Sequence, residues 1–320
     1  VSEGDLIGRI ASLVGTRAGV LLGIGDDAAV LGGDGPWVVA HDMLVQDVHF
    51  RWSTCSPADV GHKALAVNLS DLAAMGATPV AVLVGLALPP DGPGGDDVAA
   101  MYDSMEALAA ATGCSVVGGD VSAAAQTVLG VTVLGRPAPG VAPVTRAGAR
   151  PGDLVAVTGA LGASEAGRRI LEDPPLASGL PAAAALAAAH RRPRPRLREG
   201  AALAAAGVRA MLDCSDGLAV DLDRLARASG VRAVLDLGRV PVAPGVAHLA
   251  ARRGEDPAVA AATGGEDYEL IVAAPAAVLE ASGVALTVVG HVEAGAPGVA
   301  ARRDGAPAPL GRLGWEHGVG

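Results

Sequence analysis

The chain has 320 residues, 51% hydrophobic and 18% charged, with a formal net charge of −10. This composition excludes intrinsic disorder, and the length accommodates one large or two ordinary domains with an ample core. The acidic balance and scarce aromatic residues exclude an electrostatic or base-stacking surface for nucleic acid, so phosphates must be met with recruited cations.

No apolar run spans a bilayer; the stretch 79–88 is typical of the longest. Residues Val1–Asp5 show no basic segment leading into an apolar one, so no signal peptide is expected. Cys55, Cys114 and Cys214 are widely spaced and odd in number. They suggest neither a zinc ribbon nor a disulfide framework, and a reducing cytoplasm fits them.

Apolar runs at 37–40, 80–88, 115–117 and 127–134 alternate with helical stretches in the first half. Ser56 caps a helix with Pro57 at its first position, and the apolar period continues to Met75 before Gly76 stops it. A second helix fills 96–112 and ends at Gly113. The Pro- and Gly-rich stretch 136–143 places a domain boundary near residue 145, dividing 1–145 from 146–320. Beyond it, 154–158 reads as a strand, 164–171 as a helix, 172–179 as a loop and the alanine-rich 181–190 as a helix. Strands follow at 208–212, 233–237, 269–273 and 286–290, with a helix over 218–228. The fold class is α+β, a pair of mixed domains.

Acidic residues beside glycine recur where apolar runs end. Gly23-Ile-Gly25-Asp26-Asp27-Ala28 superficially fits a dinucleotide loop, but two carboxylates stand where phosphate would come. Two unit charges about 4 Å apart interact by roughly 4 kcal/mol at an effective dielectric near 20, so a divalent cation must intervene. The alternative is an Asp-rich surface turn. Asp42 closes a strand, and Asn68 and Asp71 share one face of an otherwise apolar helix. A buried Asp71 calls for a metal or a cationic partner. Val117-Gly118-Gly119-Asp120 reads as a strand running into two glycines and an acid. In Asp213-Cys214-Ser215-Asp216-Gly217 a strand meets a helix capped by Ser215 or Asp216, which offers amides to an anion and acids to its metal; an ordinary N-cap is the alternative. In Gly264-Gly265-Glu266-Asp267 a glycine pair admits a ligand toward Glu266.

So many acids suggest several magnesium ions around a polyphosphate. Lys63 is not preceded by a Walker loop, and the kinase HRD and DFG signatures, the GxSxG elbow and HExxH are absent. His62, His190, His248 and His291 read as structural or solvent-facing.

In order along nearly the whole chain, the segments 23–30, 42–50, 63–77, 118–120, 212–217 and 264–270 resemble the thiamine-monophosphate kinases. These belong to the aminoimidazole-ribonucleotide-synthetase-like superfamily. The resemblance implies two α/β domains, with the N-terminal sheets forming a barrel across a homodimer and the C-terminal domain completing the site. It implies ATP-dependent phosphorylation of thiamine monophosphate to thiamine diphosphate, with ATP as co-substrate and several Mg²⁺ ions as cofactor. By position it places Asp27, Asp42, Asp71, Asp120, Asp213 and Asp216 on magnesium. Gly119, Asp120, Arg146 and Ser215 fall on ATP, and His49, Glu266 and Trp315 on the thiamine substrate. Arg146 as an interdomain salt bridge and Trp315 as an apolar tail anchor are the alternatives.

The chain departs from the family at Ala40-His41, where two small hydroxyl residues are usual. The side-chain ligand at Ala40 is lost, and His41 would contribute its carbonyl or its imidazole to the metal. Aminoimidazole-ribonucleotide synthetase, which lacks the Gly-Gly-Glu-Asp-Tyr-Glu-Leu signature, is the runner-up. A non-catalytic Mg-nucleotide sensor is the alternative from another class.

Overall fold

The computed structural model describes residues 20–315, so the Val1–Asp5 segment lies outside the described residues. The first sheet contains β1 (Val20–Leu22), β2 (Ala29–Leu31), β3 (Trp37–Val45), β4 (Ala77–Leu88), β5 (Ser115–Ala123) and β6 (Val128–Pro137). Their order is β1-β2-β3-β6-β4-β5, antiparallel except for β4 beside β5.

Helix α1 (Pro57–Ala74) packs against this sheet, and α2 (Gly95–Thr112) lies against α1. The start of α1 is over-determined: Pro57 occupies its first turn, and Ser56 and Asp59 form a reciprocal capping box. The two helices approach so closely that a Cβ on Gly61 would lie 2.0 Å from the Met101 carbonyl oxygen. Sandwiched this way, α1 is apolar nearly all round, and its few polar side chains must find partners. The opposite face of the sheet is open, with Met43, Val80, Leu83, Val117 and Val121 exposed.

The second sheet contains β7 (Leu154–Thr158), β8 (Ala210–Asp213), β9 (Arg232–Asp236), β10 (Leu270–Ala274), β11 (Leu286–Glu293), β12 (Gly298–Arg303) and β13 (Ala306–Pro307). Its order is β13-β12-β9-β11-β7-β10-β8, with only β9 and β12 parallel. Strand β10, between β7 and β8, is buried on both faces, which explains its unbroken apolar run. On one face Ala156, Met211 and Val272 pack with Ala73 and Ala74 from the end of α1 and with Leu203 of α5 (Leu197–Ala206). The other face packs against α6 (Leu218–Ala228). Helices α3 (Ala163–Glu172), α4 (Ala183–Arg191), α7 (Val246–Arg253), α8 (Pro257–Thr263) and α9 (Ala276–Ala281) complete the described α-helices. All three cysteines are free and buried, and no described helix is long and apolar enough to cross a membrane.

Two local expectations are corrected. The strand read as running into Gly118, Gly119 and Asp120 extends past them to Ala123. There, a Cβ on Gly119 would lie 1.9 Å from the Val84 carbonyl oxygen, so the glycine permits the close approach of β5 to β4. The cap of α6 is Gly217, not Ser215 or Asp216. Asp221 reaches back from the first turn and accepts from the Asp216 and Gly217 N–H groups at 3.0 and 3.1 Å. Those two amides are therefore already committed.

Candidate active site

The end of α1 meets the second sheet through polar contacts. Asn68, fully buried, accepts the Asp42 N–H at 2.8 Å and donates to the Ala64 carbonyl at 2.9 Å. Two residues on, Ser70 donates to Asp213 Oδ2 at 2.5 Å. One turn of helix thus ties β3 and β8 together, and Asp71 projects beside them.

Burial pushes Asp71 well above the ordinary carboxylate range, and Asp42, Asp213 and Asp27 push it further. Asp213 is raised well above it as well, by burial and then by Asp27, although Ser70 pulls the other way. Asp27 is raised to about 6 by burial, which outweighs the neighbouring Arg146. Arg146 pairs with Asp27 through its guanidinium, and its backbone N–H donates to Asp26 Oδ2 at 3.1 Å. Asp27 Oδ2 is buried without a hydrogen-bond partner. The structure therefore brings Asp27, Asp42, Asp71 and Asp213 into one field of mutual repulsion. Asp216 stands at the edge of this group, bridged with Asp221 by Arg224 at 2.6 and 2.7 Å.

Two expected ligands stand elsewhere. The His41 imidazole lies 2.9 Å from Thr132 Oγ1 and above Gly130, so its ring points away from the α1 side of the sheet. Strand alternation is the reason: neighbouring Ala40 is buried toward α1. Of the two groups His41 could offer a metal, this placement leaves only the carbonyl in play. Asp120 pairs with Gly85 on the exposed edge strand β5, apart from the buried carboxylates. Among the described residues, no three His, Cys, Asp or Glu side chains gather tightly enough to hold an ion by themselves.

A cavity of about 260 Å³ opens beside the carboxylates, lined by Asp42, His49, Ser215, Asp216, Glu266 and Trp315 among others. Its walls converge from both sheets and the C-terminal strap. His49 Nδ1 accepts the Val45 N–H at 3.0 Å, so a neutral ring carries its proton on Nε2. The Trp315 backbone N–H donates to the Asp216 backbone carbonyl at 3.0 Å, and its ring has Arg312 at 5.6 Å and remains exposed.

Glu266 sits at φ +66° and Tyr268 at φ +51°, left-handed conformations that cluster beside the cavity. Gly265 allows this: a Cβ there would lie 2.8 Å from the Ser215 carbonyl oxygen. Burial opposes ionisation of Glu266, but Lys63 and His190 overcome it and hold the carboxyl at about 2.

Sequence reasoning assigned no role to Lys63 and set His190 aside as structural. It also passed over Arg51, Arg168, Glu165 and Glu172, which line the cavity's rim. Arg168 bridges Glu165 at 2.8 Å and Glu172 at 2.5 Å, while Arg51 pairs with Glu172. Their helical spacing reads as surface ion pairing, and only the return of α3 over the 49–54 segment turns them into a rim.

The fold and the buried carboxylates define the class. Residues 25–136 match the AIR synthase related protein N-terminal domain, and 150–301 match its C-terminal domain. The thiamine-monophosphate kinase of Mycobacterium tuberculosis H37Rv is 43% identical over 258 residues, 79% of this chain and 75% of that protein. The Escherichia coli K12 enzyme is 35% identical over 337 residues, 98% of both chains. A solved complex of AaThiL with AMPPCP and TMP superposes with a TM-score of 0.87 at 31% identity, covering 99% of this chain and 97% of that one. The chain belongs to the thiamine-monophosphate kinase family. HypE in complex with ATP, at 20% identity and TM-score 0.69, shares the fold; it covers 90% of this chain and 88% of its own.

Proposed function

We propose that this protein transfers the γ-phosphoryl group of ATP to the phosphate of thiamine monophosphate, yielding thiamine diphosphate and ADP. The observation that carries it is a set of mutually repelling carboxylates, buried Asp213 with half-buried Asp27 and Asp71, beside a cavity walled by His49, Glu266 and Trp315. The AaThiL complex with AMPPCP and TMP supports the choice of co-substrate and acceptor.

The donor set fits magnesium. Carboxylate oxygens are hard ligands, Asp27 Oδ2 is buried with no partner, and Mg²⁺ ordinarily takes only one or two carboxylates beside phosphates and waters. Asp27, Asp42, Asp71, Asp213 and Asp216 would hold the ions, which would supply positive charge against the phosphates. The acceptor phosphate is already ionised at neutral pH, so this chain needs no general base. Its residues have two tasks: aligning two anionic substrates in line and keeping water from the acceptor's place. Arg146, paired with Asp27, brings positive charge to the ATP side, where Ser215 adds a neutral hydroxyl. His49 and Trp315 orient the thiamine rings.

The open face of the first sheet, with exposed Met43, Leu83, Val117 and Val121, supports a homodimer in which two such faces close a barrel. Asp120 and Gly119 lie on that sheet's edge strand, so their part in ATP binding falls to the assembled dimer. The stretch 138–153, without helix or strand, supports a domain division near residue 145. Free cysteines fit a cytoplasmic setting. The direct test is incubation with Mg²⁺, ATP and thiamine monophosphate: equimolar thiamine diphosphate and ADP are expected. Nucleotide binding without turnover, or ADP formed with free phosphate alone, would overturn the assignment.

A further inference from the structure

Behind the cavity wall lies a charged group that the phosphoryl-transfer chemistry does not use. Lys63, 1% exposed, places Nζ 2.6 Å from Glu266 Oε1 and 3.3 Å from the His49 carbonyl. His190, 4% exposed, places Nδ1 3.2 Å from Glu266 Oε2 and 3.1 Å from Ser164 Oγ. Each oxygen of the Glu266 carboxylate therefore has its own partner, from α1 on one side and α4 on the other. Glu266 and His190 line the cavity, whereas Lys63 stands behind it. The Glu266 side chain keeps 27% of its surface exposed.

We infer that Lys63 and His190 are positioning residues that fix the Glu266 carboxylate to accept a hydrogen bond from the amino group on the substrate's pyrimidine ring. This rests on the cavity taking thiamine monophosphate, as proposed above. A carboxylate has lone pairs for about four hydrogen bonds. With one partner on each oxygen, the plane and rotamer are set while lone pairs remain for an N–H donor in the cavity. The left-handed backbone at Glu266 belongs to the same arrangement, since it turns the side chain back between α1 and α4. Lys63 supplies charge for the ionised carboxylate in a buried setting. Burial and Lys63 together keep His190 below its ordinary range, so it serves as a neutral N–H donor. A carboxylate left with one partner would be free to rotate and to lose its charge.

The test compares wild type with Lys63→Met, His190→Phe and His190→Gln. Each is assayed with thiamine monophosphate and with the analogue whose pyrimidine amine is replaced by oxygen. A hydrogen bond to a charged group is worth enough for about a tenfold change or more. Lys63→Met and His190→Phe should raise KM for thiamine monophosphate about tenfold, with kcat within about threefold and KM for ATP unchanged. Both should lose most of the wild-type preference for the amine-bearing substrate. His190→Gln, which keeps an N–H donor, should stay within about threefold of wild type. A KM that does not move, an undiminished preference for the amine, or equal damage by Gln and Phe would overturn the inference. If Lys63→Met does not fold, the two His190 variants decide it. A wild-type protein inert toward thiamine monophosphate would instead overturn the function proposed above.

Discussion

Replacing Asp71 by Asn separates what the buried carboxylates cost from what they do. Asp71 lies within the field of Asp42, Asp213 and Asp27, and burial raises it further. The scale of the cost can be worked from Asp27, which rises from 3.8 to about 6. That rise is about 3 kcal/mol of order-of-magnitude stability. The folded-state pKa lies above the unfolded one, so the folded chain binds the proton more tightly between the two. The stability this group contributes is therefore fully present below pH 3.8 and is lost as pH climbs through about 6. The substituted amide is neutral at every pH and removes one of the charges that Asp27, Asp42 and Asp213 repel. Asp71→Asn should therefore be more stable than wild type at pH 8 in chelator, by roughly 1–3 kcal/mol, and the gap should close toward pH 4. Phosphoryl transfer should be lost. Urea unfolding with and without Mg²⁺, followed by tryptophan fluorescence, measures both arms; Mg²⁺ should stabilise wild type more than the variant. A variant less stable than wild type in chelator at pH 8 would refute the idea of an unneutralised cluster.

Ser70→Ala removes the 2.5 Å hydrogen bond to Asp213 that joins α1 to β8, and should cost about 1–3 kcal/mol in urea unfolding. Gly119→Ala places a methyl 1.9 Å from the Val84 carbonyl oxygen, so β5 must part from β4. Its thermal midpoint should fall by several degrees, corresponding to about 1–3 kcal/mol. Trp315→Ala removes an exposed ring from the cavity and should raise KM for thiamine monophosphate several-fold while leaving KM for ATP unchanged; equal effects on both would place the ring elsewhere.

The legible parts of the chain were those whose signals are local. Ser56 and Pro57 announce the start of α1, and Gly113 ends α2 in the left-handed conformation that suits glycine. Strand β7 and helix α6 coincide with their apolar runs. Glycine pairs were harder, because one residue type serves opposite purposes. Gly264-Gly265 lets the chain's own backbone at Ala260 and Ser215 come close beside Glu266, whereas Gly118-Gly119 continues a strand. The short helices α7, α8 and α9 span too few turns to impose a visible period.

At the site, the acidic residues were legible because a carboxylate inside an apolar run demands an explanation. The partners of Glu266 were not. Lys63 sits in α1 and His190 ends an alanine-rich helix, and only the packing of α1 and α4 around residue 266 joins them. His41 shows the converse: its sequence position beside Asp42 suggested a shared ligand set, but strand alternation sends the two side chains to opposite faces.

The most direct measurement follows the phosphorus itself. ATP labelled at the γ-phosphorus would be incubated with thiamine monophosphate and Mg²⁺, using wild type and Asp71→Asn. The account predicts that the label appears in the terminal phosphate of thiamine diphosphate, one for each ADP, and that the variant transfers none. Label found only in inorganic phosphate, or transfer undiminished in the variant, would contradict it.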